Sequence, residues 1–194
     1  MTCLYLVRHG TTDEVDHRFC GRLPGIQLNA EGLQQANRLA VRFQAEPIRA
    51  VFSSPCLRAR QTADIIAGAL LLTVEERHAL DEIDIGEWSG RSFDALNREK
   101  SFRLFNSLRS TARPPSGELA LEVQSRTVTE LLRMVQQYEG GAVVIVTHAD
   151  VIRSALAFFL GVPLDLAHRL AIDLASVSEL RLDSQNIRIN RING

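Results

Sequence analysis

The amino-acid sequence predicts an α/β fold in which strands carry reactive side chains to a crevice at their carboxyl ends. Two apolar runs make the case. Residues 4–7 lead straight into Arg8, His9 and Gly10, and residues 142–146 lead into Thr147, His148, Ala149 and Asp150. The second run has the continuous apolar character of a strand buried on both faces, and a helical pattern follows it. A third observation repeats the step: residues 48–53, rich in β-formers, run into Ser53-Ser54-Pro55, a helix-opening signal.

Taken in order, residues 4–7 form the opening strand, and Gly10 lets the backbone turn sharply beside a bound anion. The connection 11–29 is long for a compact protein and holds Phe19, Cys20, Gly21, Arg22, Pro24 and Gly25. It leaves directly from the proposed site and is expected to form one wall of a pocket. Residues 31–43 place Leu33, Ala36, Ala40 and Phe43 at helical spacing, with Asn29 or Ala30 at the start. After the strand 48–53, a serine oxygen is expected to cap the free N–H groups of the next helix while Pro55 fits its first turn. Arg58 and residues 61–63 fall in the first turns, where a helix N-terminus favours an anion; of Arg58 and Arg60, one is expected on a solvated face.

Residues 70–75 predict an edge strand, and residues 80–90, with four acids, a tryptophan and two glycines, predict a shaped loop. The mixed helical stretch 92–110 carries Phe93, Leu96, Phe102, Phe105 and Leu108, and the segment 91–117 is expected as a cap over the site. Residues 121–138 predict a helix with Leu121, Val128, Leu131, Leu132 and Val135 as its apolar stripe, ended by Gly140-Gly141. The core strand 142–146 and a helix over 151–160 follow. A terminal hairpin of 179–182 and 187–189 closes a sheet edge.

Composition limits the functional classes. The chain has 194 residues, 45% hydrophobic and 23% charged, with a formal net charge of -1, which fits an ordinary soluble protein of one domain, 1–194. No charge bias points to nucleic acid or membrane, so any basic site is local. Cys3, Cys20 and Cys56 form no C-x-x-C pair and leave an odd count, which fits reduced thiols in a cytoplasmic protein. No segment approaches the roughly 20 apolar residues that cross a bilayer, and the opening run is only a strand long. A soluble cytoplasmic monomer or homodimer is expected.

Four motifs now stand in order. They are Arg8-His9-Gly10; Ser53-Ser54-Pro55 with Arg58-Ala59 and Gln61-Thr62-Ala63; Glu82 with Gly86-Glu87-Trp88 and Gly90; and Thr147-His148. With Leu28, Gly32, Ala36 and Gly117-Glu118 they resemble the histidine phosphatase superfamily, also called phosphoglycerate mutase-like, over nearly the whole chain. The resemblance implies a three-layer α/β/α sandwich with a mostly parallel central sheet. It also implies that His9 is phosphorylated during turnover, that Arg8, Arg58 and His148 bind the phosphoryl group, and that Glu82 donates a proton. Two positions depart from the family pattern: Val15 stands where asparagine is common, and Ala149 where glycine is common. Thr12 and the loop around Gly21 are the candidate replacements for the missing donor, and Thr12, Gly21 and Ala149 are the expected substrate contacts.

The chemistry asks for these residue types. Phosphoryl transfer needs alignment and neutralisation of three equatorial oxygens, and two guanidiniums with a protonated imidazole supply both without a metal or other cofactor. An unprotonated imidazole held in line is a competent nucleophile, and flanking arginines help to keep it neutral. An alkoxide leaves poorly, so a carboxylic acid must protonate it and can later deprotonate the attacking water. Glu82 fits that role; Asp81 and Asp84 compete by position, and the resemblance selects Glu82.

Related mutases usually carry arginine directly after the acid, whereas Ile83 and Asp84 stand here, which favours a phosphatase acting on a small phosphomonoester. Phosphatases of α-ribazole phosphate or phosphoserine look like the nearest functional relatives. Arg91, Arg98, Lys100 and Arg103 of the cap segment offer to hold a second anion and keep mutase-type transfer as the alternative. A phosphate-binding protein without turnover is the reading of a different class, which phosphate release from an aryl phosphate separates. A metallohydrolase built on His9, His148 and Asp150 lacks a helical pair of ligands at i, i+4.

Overall fold

The computed structural model describes residues 1–194. Strands β1 (Thr2–Arg8), β2 (Ile48–Ser53), β3 (Val74–Glu76), β4 (Ala142–Thr147), β5 (Val177–Leu182) and β6 (Ile187–Arg191) form one sheet in the order β3-β2-β4-β1-β5-β6. The first four run parallel to one another, β5 is antiparallel to β1, and β6 is antiparallel to β5. The fold is therefore the mostly parallel three-layer sandwich expected, with the terminal hairpin along one edge of β1.

Period-two alternation assigns the two faces. Leu4 and Leu6 of β1, Phe52 of β2 and Val143 and Ile145 of β4 pack against α5 (Ala120–Gln137) and α6 (Ala149–Leu160) through Leu131, Met134, Ile152 and Leu156. Tyr5 and Val7, Val51, and Val144 and Val146 point the other way, onto α1 (Ala30–Phe43) and α2 (Leu57–Leu70) through Leu39, Phe43, Ala63 and Ile66. All six residues of β4 are buried. Its parallel pairing on both sides explains why its sequence is apolar without alternation.

A third apolar cluster lies over the carboxyl ends of the strands. Ile83, Ile85 and Trp88 of the acidic loop pack with Leu96 of α3 (Phe93–Leu96), Phe102 and Phe105 of α4 (Lys100–Ser107), Ala120 and Val123 of α5, and Val151 of α6. Trp88 meets both phenylalanines edge-on, with ring centroids 5.3 and 5.4 Å apart.

Several local expectations are corrected. Leu33, Leu121 and Leu132 face solvent; Gly32, Ala36, Leu39, Ala40 and Phe43 form the buried stripe of α1, and Ala120, Val123, Val128, Leu131 and Met134 lie on the buried side of α5. Helical periodicity alone tolerates either neighbour of a stripe, and packing decides. Residues 70–72 finish α2 and its left-handed cap at Leu71, which shortens the edge strand to Val74–Glu76. Asn29 caps α1 by accepting from the Gly32 N–H at 2.9 Å. The N-cap position of α2 is Cys56, whose side chain caps nothing; the Ser54 hydroxyl accepts the Cys56 N–H at 3.2 Å, and Pro55 precedes the cap instead of entering the first turn. The three cysteines are free, and no helix is long and apolar enough to cross a membrane.

Candidate active site

The parallel register of β1 on β4 pairs Arg8 with Thr147, so His9 and His148 leave the sheet side by side, with ring centroids 5.2 Å apart. The His9 N–H continues the ladder by donating to the Thr147 carbonyl at 3.0 Å. The turn behind His9 is then clamped. The Gly10 N–H donates to Thr62 Oγ1 of α2 at 3.1 Å, and a Cβ on Gly10 would come within 2.7 Å of the Gly32 carbonyl oxygen. In return, a Cβ on Gly32 would come within 2.1 Å of the Thr11 carbonyl oxygen, so neither position accepts a side chain without moving backbone.

Arg58 lies between the two imidazoles. Its Nε donates to His9 Nε2 at 3.1 Å, and its Nη2 meets both His148 Nδ1 at 3.1 Å and the Gly21 carbonyl at 2.8 Å. A guanidinium has no lone pair, so each contacted ring nitrogen is an acceptor. His9 therefore carries its proton on Nδ1, which donates to the Gly10 carbonyl at 2.8 Å, and presents the Nε2 lone pair forward. Burial and then the Arg58 charge hold both histidines well below the usual imidazole range. A buried ring beside a cation resists a second proton, so with Arg58 on its Nδ1 the His148 ring is held toward its neutral form. Arg8 Nη1 donates to the Ile172 carbonyl at 2.7 Å. Arg8 Nε and Arg58 Nη1 are buried without a partner, donors of the kind an oxyanion satisfies.

The acidic loop separates its three candidates by position. Asp81 turns away from the cavity and bonds Ser54 and His78, and Asp84 accepts from the Gly86 N–H. Glu82 is the acid of the three that lines the cavity, with Oε2 3.7 Å from His148 Nδ1. The loop is pinned from behind by Thr147, which donates to the Leu80 carbonyl at 2.6 Å, and by Arg126 and Arg22, which donate to the carbonyls of Asp81 and Glu82 at 2.7 Å each. Burial, and next the Asp150 charge, push the Glu82 carboxyl up to about 7. Burial presses Asp150 the same way, but Arg109 and Arg153, at 3.1 and 3.3 Å, outweigh it and hold that group low.

These residues surround a cavity of about 370 Å³. The 11–29 connection forms one wall through Thr12, Val15, Phe19 and Gly21, as expected, and the 91–117 segment contributes Phe93, Asn97, Phe102, Asn106 and Arg109. Arg8, His9, Arg58, Glu82, Thr12, Gly21 and Ala149 all line it; His148 is wholly buried, in contact with Arg58, and does not. Arg60 is the solvated arginine, paired with Asp64 and Glu76. Arg91, Arg98, Lys100 and Arg103, the basic residues expected to hold a second anion, are not on the cavity: Arg91 pairs with Glu99, and Arg103 donates to the Asn97 carbonyl. Beyond Arg8 and Arg58, the cations that line it are Arg18, Arg109 and Arg153. Arg109 and Arg153 went unnoticed because their shared carboxylate, Asp150, sits on α6 and meets the 91–117 segment only in the folded chain. No three His, Cys, Asp or Glu side chains gather to hold a metal ion, and Asp150 is committed to its arginines.

The sequence profile of the histidine phosphatase superfamily (branch 1) matches residues 4–194. A bifunctional protein of Mycobacterium tuberculosis is 35% identical over 181 residues, which are 91% of this chain and 49% of that protein, so this chain spans about half of that relative's length. A protein of Escherichia fergusonii named "Probable phosphoglycerate mutase GpmB" is 31% identical over 95% of this chain and 86% of its own. Among solved structures, Bacillus stearothermophilus YhfR superposes with a TM-score of 0.91 at 31% identity, covering 98% of this chain and 96% of that one. A mutant phosphoserine phosphatase of Entamoeba histolytica, in complex with phosphoserine, superposes at 0.90 with 25% identity, covering 100% and 98%. With the profile match running from the first strand to the last residue and joining the elements that bear His9, Arg58, Glu82 and His148, the chain belongs to the histidine phosphatase superfamily, branch 1.

Proposed function

We propose that the protein hydrolyses small phosphomonoesters through a phosphohistidine at His9. The observation that carries this reading is the His9 ring itself: its tautomer is fixed by Gly10, its Nε2 lone pair faces the cavity, and buried donors without partners flank it on Arg8 and Arg58. Arg58 leaves Nε2 for a phosphoryl oxygen as substrate enters, and Arg8 Nε and the backbone N–H of Ala149 at the start of α6 complete the cradle.

In the first step Nε2 forms a bond to phosphorus as the ester P–O bond breaks, and the protonated Glu82 passes its proton to the leaving oxygen. In the second, the Glu82 carboxylate takes a proton from water, the hydroxyl oxygen bonds phosphorus, and the P–N bond breaks. Glu82 ends protonated and His9 neutral, as they began. A carboxyl pushed up to about 7 serves both directions near neutral pH.

The test is release of phosphate from an aryl phosphate by the wild type and its loss in His9→Ala, with rapid-quench mass spectrometry locating an acid-labile, base-stable phosphate on His9. Persistent turnover in His9→Ala with no phosphate on that residue overturns the nucleophile assignment. Mutase-type transfer is the second reading, favoured by the similarity to the Escherichia fergusonii protein. Isomerisation of 3-phosphoglycerate exceeding phosphate release would establish it instead. A screen of phosphomonoesters small enough for the cavity then identifies the substrate.

A further inference from the structure

The nitrogen of His148 that faces away from Arg58 meets a chain of polar groups outside the cavity. His148 Nε2 lies 2.9 Å from Ser54 Oγ, Ser54 Oγ lies 3.1 Å from Asp81 Oδ1, and Asp81 Oδ2 lies 3.1 Å from His78 Nδ1. His148 and Ser54 are wholly buried and Asp81 nearly so, whereas the His78 side chain is 89% exposed. Directionality follows from the donors. Arg58 obliges Nδ1 to accept, so Nε2 carries the proton and donates to Ser54 Oγ. Ser54 Oγ also accepts the Cys56 N–H at 3.2 Å, which leaves its own proton for Asp81. Every bond of the hydroxyl is then used, and a carboxylate stands one hydroxyl away from a buried imidazole.

We propose that Ser54 and Asp81 are positioning residues for His148: they orient Nδ1 toward Arg58 and Glu82, and they supply the negative charge that lets this imidazole take a second proton when a phosphoryl group arrives. The proposal rests on the phosphomonoester reading. As Arg58 Nη2 turns to the phosphoryl group, Nδ1 would be left with its lone pair against an oxyanion. A phosphomonoester monoanion, whose second ionisation lies near pH 6, resolves this. Its P–O–H proton passes to Nδ1, an O–H bond breaks as an N–H bond forms, and no bond to phosphorus changes. The dianion is then held by an imidazolium whose far nitrogen donates, through Ser54, toward Asp81.

The charged and titratable groups around His148 define what Asp81 must offset. Arg8 and His9 approach from the end of β1, Arg58 from α2 and Arg126 from α5, and all oppose the second proton. Glu82, from the acidic loop, is the nearer anion, but it serves as the proton donor and is neutral at that moment. Asp81 is left as the counter-charge.

The experiment uses the full chain labelled with ¹⁵N-histidine, free and with vanadate at pH 7, the His148 signals being assigned by their absence in His148→Gln. In the free wild type, His148 is expected as the neutral Nε2–H tautomer, and in the vanadate complex with both nitrogens protonated. Asp81→Asn keeps an acceptor for Ser54 and removes the charge. In that variant His148 is expected to stay neutral in the complex, with vanadate affinity lower by about tenfold to a hundredfold, the range of one hydrogen bond to a charged group. Ser54→Ala is expected to show a comparable loss of vanadate affinity, with His148 staying neutral in the complex; should it fail to fold, Asp81→Asn decides. Wild-type affinity together with a doubly protonated His148 in Asp81→Asn overturns the proposal. A wild type that neither binds vanadate nor releases phosphate overturns the phosphomonoester reading instead, and a free wild type whose His148 Nε2 carries no proton overturns the positioning role.

Discussion

The Nε of Arg58 lies 3.1 Å from Nε2 of His9, so in the proposed reaction the cation offered to the phosphoryl group starts on the atom that would attack it. The contact disfavours a proton on His9, and the proposed reaction requires it to break.

Arg58→Ala should therefore do two opposed things. The His9 pKa rises, because burial and the Arg58 charge both depress it and the second is gone. Activity nevertheless falls by about 100-fold or more, the typical loss on removing one oxyanion donor. Arg58→Lys should not restore it, since an ammonium cannot span both histidines and Gly21 as the fork does. An NMR titration of His9 alongside kcat/KM checks both; a His9 pKa unchanged in Arg58→Ala refutes the electrostatic role.

Glu82→Gln should slow alkyl phosphates far more than p-nitrophenyl phosphate, whose leaving group needs little help; general acid catalysis is typically worth about 100-fold to 10,000-fold. With alkyl substrates, kcat/KM should fall as pH rises past about 7, where Glu82 loses its proton. Asp150→Asn removes a negative neighbour and should move that limb to lower pH. Equal losses on the two substrates would remove Glu82 from the proton-donor role.

The same carboxyl should weaken the fold as pH rises from the acid range to neutrality. Its folded pKa is raised from 4.5 to about 7, so the native state holds the proton more tightly than the unfolded chain, and stability is lost as pH rises between those values. The loss is on the order of 3 kcal/mol by pH 8. Glu82→Gln removes the titration, and its urea midpoint should exceed that of the wild type at pH 8 by more than it does at pH 4.

Thr12 is buried, lines the cavity and stands within a turn of Val15, which lines it too. Thr12→Val should loosen vanadate binding by about one order of magnitude, and by less when Val15→Asn supplies an amide in its place. A double-mutant cycle on vanadate affinity measures the coupling. Thr12→Val harmless in both backgrounds would show that the hydroxyl does not serve the phosphoryl group.

Arg109 carries a buried Nε without a partner at the cavity wall, and its Nη1 holds Asp150. Arg109→Ala should raise KM by about tenfold for phosphomonoesters that also bear a carboxylate, and leave p-nitrophenyl phosphate little changed. The same rise on both would place its effect in the phosphoryl pocket.

What the sequence made legible follows from how local each signal is. β1 and β4 announce themselves because a strand buried on both faces must be apolar throughout, and a charged or ring-bearing residue at its end then stands out. The acidic loop offers no such contrast. Asp81, Glu82 and Asp84 are adjacent acids, and what separates them is Ser54, Gly86 and the cavity, each contributed by another part of the chain. Ser54 is only half legible for a related reason: a serine before proline reads as a helix cap, and its hydroxyl does accept the Cys56 N–H, but its contact with His148 depends on a strand nearly a hundred positions later. Leu33 and Leu121 fit a helical period yet face solvent, because period fixes a face to within one neighbour and the partner helix selects which.

The strand order carries a consequence for how the molecule comes into being. β4 lies between β1 and β2 and pairs with both, so strands that are early in the chain cannot touch each other and wait for one that follows almost a hundred residues after β2. Until β4 slots in, β1 and β2 are two open edges. The ladder that sets His9 beside His148 closes a loop of about 140 residues, a contact of the long-range kind that slows folding and is costly in chain entropy. The geometry of the cavity is thus among the last things to be assembled: a ribosome that has released residues 1–141 has made His9, Arg8, Arg58 and Glu82, and still has not made a place for them to meet.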